Sequence, residues 1–211
     1  MNNKGNLGIS SVIILISFIL ISLTAFSVLS SDTSNETSGT SEEKIQQMID
    51  ESIEEITKYI QITDKIGKYY GPPRQQEIQK IALMIKPIFS NEIDISELTI
   101  KISNGNSIKI LSYSSYAQPI DSNHLFDHPI WNDINENNFG LIATHDKDNS
   151  LSDYNVLNKN TDMAYIIIKF SPDFYMKKGD TMIVQLFLTS GIIKTITLEA
   201  PLPMNSLVSF D

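Results

Sequence analysis

"KGNLGISSVIILISFILISLTAFSVL", residues 4–29, decides how the rest of the chain must be read. From residue 7 to residue 29 no side chain carries a charge. As a helix this run is about 35 Å long, enough to cross the hydrocarbon core of a bilayer. Inside a bilayer a single segment satisfies its own backbone only as a helix. Gly8, Ser10, Ser11, Ser17, Ser22, Thr24, Ala25 and Ser27 are scattered among the Ile, Leu, Val and Phe side chains. Small residues let apolar helices approach closely, and hydroxyls bond back to the helix or across to a neighbour. The run therefore reads as a single-pass anchor or as a helix that packs on copies of itself. A secretory leader ends its apolar stretch in small residues and is cut on the far side. Here the cut suggested by the residues lies on the near side, beside Lys4 and Gly5. The apolar run then stays with the mature chain.

The totals narrow the partners. The chain has 211 residues, enough for one globular domain with additional segments. Acidic residues number 25 against 16 basic ones, a formal charge of −9. No basic cluster offsets that balance, so nucleic acid is excluded as a partner. There is no cysteine, which rules out disulfide scaffolds, thiolate metal sites and cysteine nucleophiles.

Beyond the apolar run, residues 30–41 ("SSDTSNETSGTS") are small and polar and read as a linker, a loosened helix or both. Residues 42–70 return to a helical period. Ile45, Ile49, Ile53, Ile56 and Ile60 fall on one face, flanked by Met48, with Glu and Lys on most of the rest. "GPPR" at 71–74 stops that helix. From there the chain is β-rich. "IQKIALMIKPI", "ISELTIKIS", "SIKILSYSS", "MAYIIIKFS", "TMIVQLFLTS" and "IIKTITLEA" are short, largely β-branched and partly alternating. The first of them is equally compatible with a short helix. Asn104-Gly105-Asn106 and Ser190-Gly191 mark hairpins. A less regular stretch spans about residues 117–152. The expected fold class is α+β, a long N-terminal hydrophobic helix followed by an antiparallel β-sandwich of Ig-like type.

Three short patterns are candidate sites. Asn35-Glu36-Thr37 is an N-glycosylation sequon, so Asn35 is a candidate glycan acceptor; the alternative is a solvated linker. In "DKDNSLSD", residues 146–153, oxygens of Asp146, Asp148, Ser150 and, as a fourth, Asp153 are spaced to surround a divalent cation such as calcium. The EF-hand pattern itself fails, because Leu151 stands at the turn glycine and Leu157 at the closing glutamate. The alternative is an acidic turn. His124 and His128 are four apart, as in a helical zinc site, but Pro129 follows and no third ligand is near, so they read as surface loop residues. No nucleophilic triad, phosphate loop or carboxylate pair marks an enzyme.

In order along the chain, "KGNLGIS" with its apolar helix, "IDISELTIKISNG" and "DKDNSLS" with its following strand resemble the archaeal flagellins, or archaellins, which are built like type IV pilins. The resemblance runs over nearly the full length. It implies that a membrane aspartyl prepilin-type peptidase cuts between Gly5 and Asn6, with Lys4 marking the site. Bacterial type IV pilins carry a glutamate where this chain has Ser10; archaellins lack it and often have glycine near the position of Gly8. The implied organisation is a class III leader over 1–5, a helix over 6–70 with a filament-core part at 7–29 and an amphipathic part at 42–70, and an outer β-sandwich over 71–211. The implied role is a structural subunit that passes through the membrane and is assembled by an ATPase and a membrane platform protein into an extracellular motility filament with other archaellins. An adhesive pilin shares the processing site and core helix. A stator-like module, anchored in the membrane and facing the surface layer, remains a third reading.

Overall fold

The computed structural model describes residues 45–46, 48–49, 59–72, 75–114, 117–120, 125–188, 191, 193–202 and 206–210. The chain divides into two compact units, residues 1–52 and residues 53–211. In the first unit Ile45, Gln46, Met48 and Ile49 are helical, with Ile45 and Ile49 half-buried and Met48 exposed. The apolar run 7–29, the cleavage residues Lys4, Gly5 and Asn6, the candidate acceptor Asn35 and His124 lie outside the described residues. Among the described residues no helix is long and apolar enough to cross a membrane.

The first described element of the second unit is a strand, β1 (Ile60–Tyr70), where the helical period had predicted the last turns of a helix. The reason is non-local. β1 pairs with β2 (Glu77–Pro87) along its full length, from Ile60↔Pro87 to Tyr70↔Glu77. That ladder buries Ile60 and Tyr69, and tertiary burial outweighs local helix preference. Gly67 fits the same explanation: a Cβ there would stand 3.0 Å from the Phe210 ring and 3.1 Å from Ile78.

Most of the apolar runs read as strands are strands. They are β4 (Thr99–Ser103), β5 (Ile108–Tyr113), β9 (Met163–Lys169), β10 (Thr181–Phe187) and β11 (Ile193–Glu199), and "IQKIALMIKP" is β2. The Asn104–Gly105 turn joins β4 to β5, with Gly105 at φ 86° and Asn104 Oδ1 accepting from the backbone N–H of Asn106 and Ser107. The shorter strands are β3 (Ile93–Asp94), β6 (Gln118–Pro119), β8 (Val156–Leu157) and β12 (Leu207–Ser209). The stretch read as irregular contains β7 (Asn138–His145), which is central.

The expected pair of antiparallel sheets is replaced by one ten-stranded mixed sheet, ordered β11-β10-β4-β5-β7-β9-β2-β1-β12, with β6 also on β7. β3 and β8 form a separate two-stranded ribbon. The β5–β7 and β6–β7 contacts are parallel. Parallel neighbours need a crossover of a dozen or more residues, and the irregular segment after β5 provides it. The sheet curls until its ends meet. Tyr69 of β1 donates its hydroxyl to the Pro201 carbonyl just past β11 (2.6 Å), and Lys194 of β11 reaches the Tyr59 hydroxyl just before β1 (3.0 Å).

The curl encloses one core. Ile81, Leu83 and Ile85 of β2, Ile166 and Ile168 of β9, Ile100 and Ile102 of β4 and Val184 of β10 are almost fully buried in it. Each such side chain contributes about 1.5–3 kcal/mol of burial energy. A smaller cluster lies on the outer face. The 3₁₀ turns Leu125–Asp127 and Pro129–Asn132 lay Phe126, Ile130 and Trp131 over Ala82, Ile142, Tyr165 and Ile167. β9 is thereby buried on both faces, which is why "AYIII" shows no alternation. His128, one of the paired histidines, is a buried cap: its Nδ1 accepts from the Ile130 N–H at 3.2 Å and its Nε2 lies 3.1 Å from the Pro119 carbonyl.

Candidate metal centre and assembly surface

The loop between β7 and β9 brings acidic side chains together. After Asp146 and Asp148 comes a five-residue helix, α1 (Ser150–Tyr154). It is flanked by Asn149 (φ 58°) and Asn155 (φ 61°), both left-handed, a conformation that asparagine tolerates. The two reversals turn the chain back into β8, which is pinned to β3 by Ile93↔Leu157 and Asp94↔Val156. Residues 158–162 then return beside Asp146. One carboxylate oxygen from each of Asp146, Asp148 and Asp162 lies within 4.8 Å of the others.

Hydrogen bonds hold each carboxylate by part of its surface. Asp146 Oδ2 accepts from the backbone N–H and the hydroxyl of Ser152, both at 3.1 Å. Asp162 Oδ2 accepts from the backbone N–H of Asn158 (3.1 Å) and Lys159 (2.9 Å). Asp148 Oδ2 accepts from the Asn158 side-chain amide (3.1 Å) and the Lys159 ammonium. Lys159 and then Asn158 hold the Asp148 carboxyl well below the usual carboxylate range, and Asp148 in turn raises the lysine.

What remains is a set of buried acceptors with no donor. Asp146 Oδ1, Asp162 Oδ1, Ser150 Oγ and Asn158 Oδ1 are the buried side-chain polar atoms without a partner among the described residues. All four belong to this loop. Asp162 is fully buried and Ser150 nearly so. An unpaired buried oxygen is costly, and a buried carboxylate oxygen more so. All four are oxygens, two of them carboxylate, and oxygen is the donor that a hard divalent cation takes, calcium six to eight at a time.

Of the residues named from the sequence as candidate ligands, Asp146 and Asp148 belong to this trio, and Ser150 donates its backbone N–H to Asp148 Oδ1 at 3.4 Å. Asp153 is exposed on α1 and stays outside the trio. Asp162 completes the trio, and Asn158 hydrogen-bonds to both Asp148 and Asp162. A local calcium-loop template does not extend to them; their signal was the second polar cluster, "NKNTD", directly before β9.

A second feature lies on the outer face of the sheet. Lys68 of β1 is directly opposite Lys80 of β2, and Lys80 is directly opposite Lys169 of β9. Lys68 pairs with Asp127 of the overlying turn (2.8 Å). The Lys80 ammonium lies 4.8 Å from the centre of the Trp131 ring and 5.5 Å from that of Tyr70.

Residues 5–198 match the protein family described as archaeal-type flagellin. The chain belongs to the archaeal-type flagellins. It is a structural subunit of the archaeal flagellar filament and not an enzyme. It is 27% identical over 155 residues to flagellin B3 of Methanocaldococcus jannaschii, covering 72% of this chain and 68% of that one. Its fold is similar to the crystal structure of archaeal flagellin FlaB1 from the same organism (TM-score 0.59, 18% identity, 72% of this chain and 95% of that one). It is also similar to the subunit of the archaeal flagellum of Methanospirillum hungatei (TM-score 0.51, 13% identity, 97% of this chain and 99% of that one).

Proposed function

We propose that this flagellin reaches the filament as a membrane-inserted precursor, cut between Gly5 and Asn6 by a prepilin-type peptidase. Residues 7–29 then leave the lipid and pack with the same run of other flagellins at the filament centre. The observation that carries this reading is the order of the first residues: one lysine, one glycine, then an uncharged run. The family match beginning at residue 5 supports it. Moving this helix from lipid into an apolar bundle gains little hydrophobic energy, because both surroundings are dry. Close packing and hydroxyl hydrogen bonds must supply the difference, and the small residues favour both. Extraction therefore requires work, from an ATPase acting through a membrane platform. Heterologous contacts that do not close then give a helical polymer outside the cell. Asn35 carries an N-glycan on the linker.

In the outer unit, Asp146, Asp148, Asp162, Ser150 and Asn158 hold one divalent cation, calcium by preference. The four unpartnered buried oxygens support this assignment. The ion would lock the β7–β9 loop without taking part in any bond chemistry.

The deciding experiment is the N-terminal residue of this protein in material sheared from whole cells. Asn6 there supports leader removal and transfer of the apolar run into the filament. Met1, or recovery only with membranes, refutes it and leaves an anchored outward-facing module.

A further inference from the structure

We propose that the lysine row Lys68–Lys80–Lys169 seats carboxylates of a second copy of this chain, drawn from its acidic run at residues 42–55. This interface deepens the filament reading and rests on it.

The row is unusual on physical grounds. Lys80 is directly opposite Lys68 on one side and Lys169 on the other, so the three share one face of three adjacent strands, with Cβ atoms of neighbouring members about 5 Å apart. Like charges in that position destabilise a sheet. Lysines on a surface ordinarily escape such repulsion by swinging into water. Here the central one does not. Lys80 is held half-buried between Trp131 and Tyr70, and Lys68 is held by Asp127. Burial, followed by the two flanking lysines, pushes the Lys80 ammonium below its ordinary pKa. Neither Lys80 nor Lys169 forms an ion pair with a carboxylate among the described residues. The fold thus holds a preorganised positive line, with one carboxylate answering three ammonium groups.

Charge complementarity identifies the occupant. Copies of a chain with net charge −9 repel one another unless a positive patch on one meets a negative patch on the next. A helical polymer joins two different patches of the same molecule. The densest acidic run in the sequence is residues 42–55, with Glu42, Glu43, Asp50, Glu51, Glu54 and Glu55 against Lys44 alone. Within it Asp50 and Glu54, and Glu51 and Glu55, are four apart. Desolvated charge pairs of this kind fix register between copies more than they add affinity.

The test is zero-length carbodiimide cross-linking of intact sheared filaments, which joins an amine to a carboxylate only where they touch. Covalent dimers are isolated and their joined peptides identified by mass spectrometry. The expected result is dimers linking Lys68, Lys80 or Lys169 to a carboxylate within residues 42–55, lost when filaments are first dissociated in detergent. In K169Q filaments that dimer should fall, and filaments should come apart at lower salt than wild type; K169R should restore both. Lys169 forms no ion pair and no cation–π contact among the described residues, so K169Q is expected to leave the fold intact. Dimers joined elsewhere, or unchanged salt tolerance in K169Q, would overturn the proposal while leaving the filament reading in place. Failure to recover the protein in any filament would instead sink that underlying reading.

Discussion

Replacing Asp162 with asparagine separates a cation ligand from a merely structural carboxylate. Asparagine keeps one oxygen, enough to accept from the N–H groups of Asn158 and Lys159, so the turn itself survives. The charge does not. With oxygens within 4.8 Å of each other, Asp146 and Asp162 repel by about 3 kcal/mol at an effective dielectric of about 20. Without metal, Asp162→Asn should therefore be as stable as wild type or more stable. With calcium at about a hundredfold over its dissociation constant, wild type gains about 2.7 kcal/mol. For a chain of this size that corresponds to a rise of about 5–10 °C in melting temperature. The assay is scanning calorimetry of the full-length subunit in detergent, in chelator and then in calcium, for both proteins. Wild type should show the rise and Asp162→Asn should lose most of it. Equal melting of wild type with and without calcium, or an undiminished rise in the variant, would refute the cation assignment.

Trp131→Ala removes the largest side chain of the outer cluster, together with its indole hydrogen bond to the Leu125 carbonyl (2.7 Å) and its contact with Lys80. The expected cost is about 3–5 kcal/mol, measured by denaturant unfolding of the detergent-solubilised subunit. Gly67→Ala places a methyl against Phe210 and Ile78, which should cost about 1–3 kcal/mol and release β12, seen as faster hydrogen exchange at residues 207–209. Burial, assisted by Asp127, pushes the Tyr70 phenol up to about 12. The folded chain then holds its proton after the unfolded chain has released it, so stability should fall as pH rises from about 10 to about 12. Tyr70→Phe should flatten that decline in an alkaline titration followed by circular dichroism.

Much of the fold was legible in the residues. Runs such as "TMIVQLF" and "IIKTITLE" alternate and are β-branched, and Asn104–Gly105 allows few connections other than a tight turn. The uncharged run 7–29, the acidic balance and the absence of cysteine are properties of composition, and no fold alters them. Part of the acidic loop was equally local, since Asp146, Asp148 and Ser150 lie within five residues of chain.

Tertiary structure decided the rest, because the information was not local. The isoleucines of residues 45–60 satisfy a helical period, and only the ladder with β2 makes Ile60 the start of a strand. β7 is buried on both faces, so it lacks the alternation that would have marked it, and its parallel contact with β5 depends on a crossover that no turn motif announces. Asp162 joins Asp146 only after two asparagine reversals and the β3–β8 ribbon fold the loop back on itself. The lysine row is the plainest case. Lys169 is far in sequence from Lys68 and Lys80, each is ordinary alone, and strand register sets the three side by side.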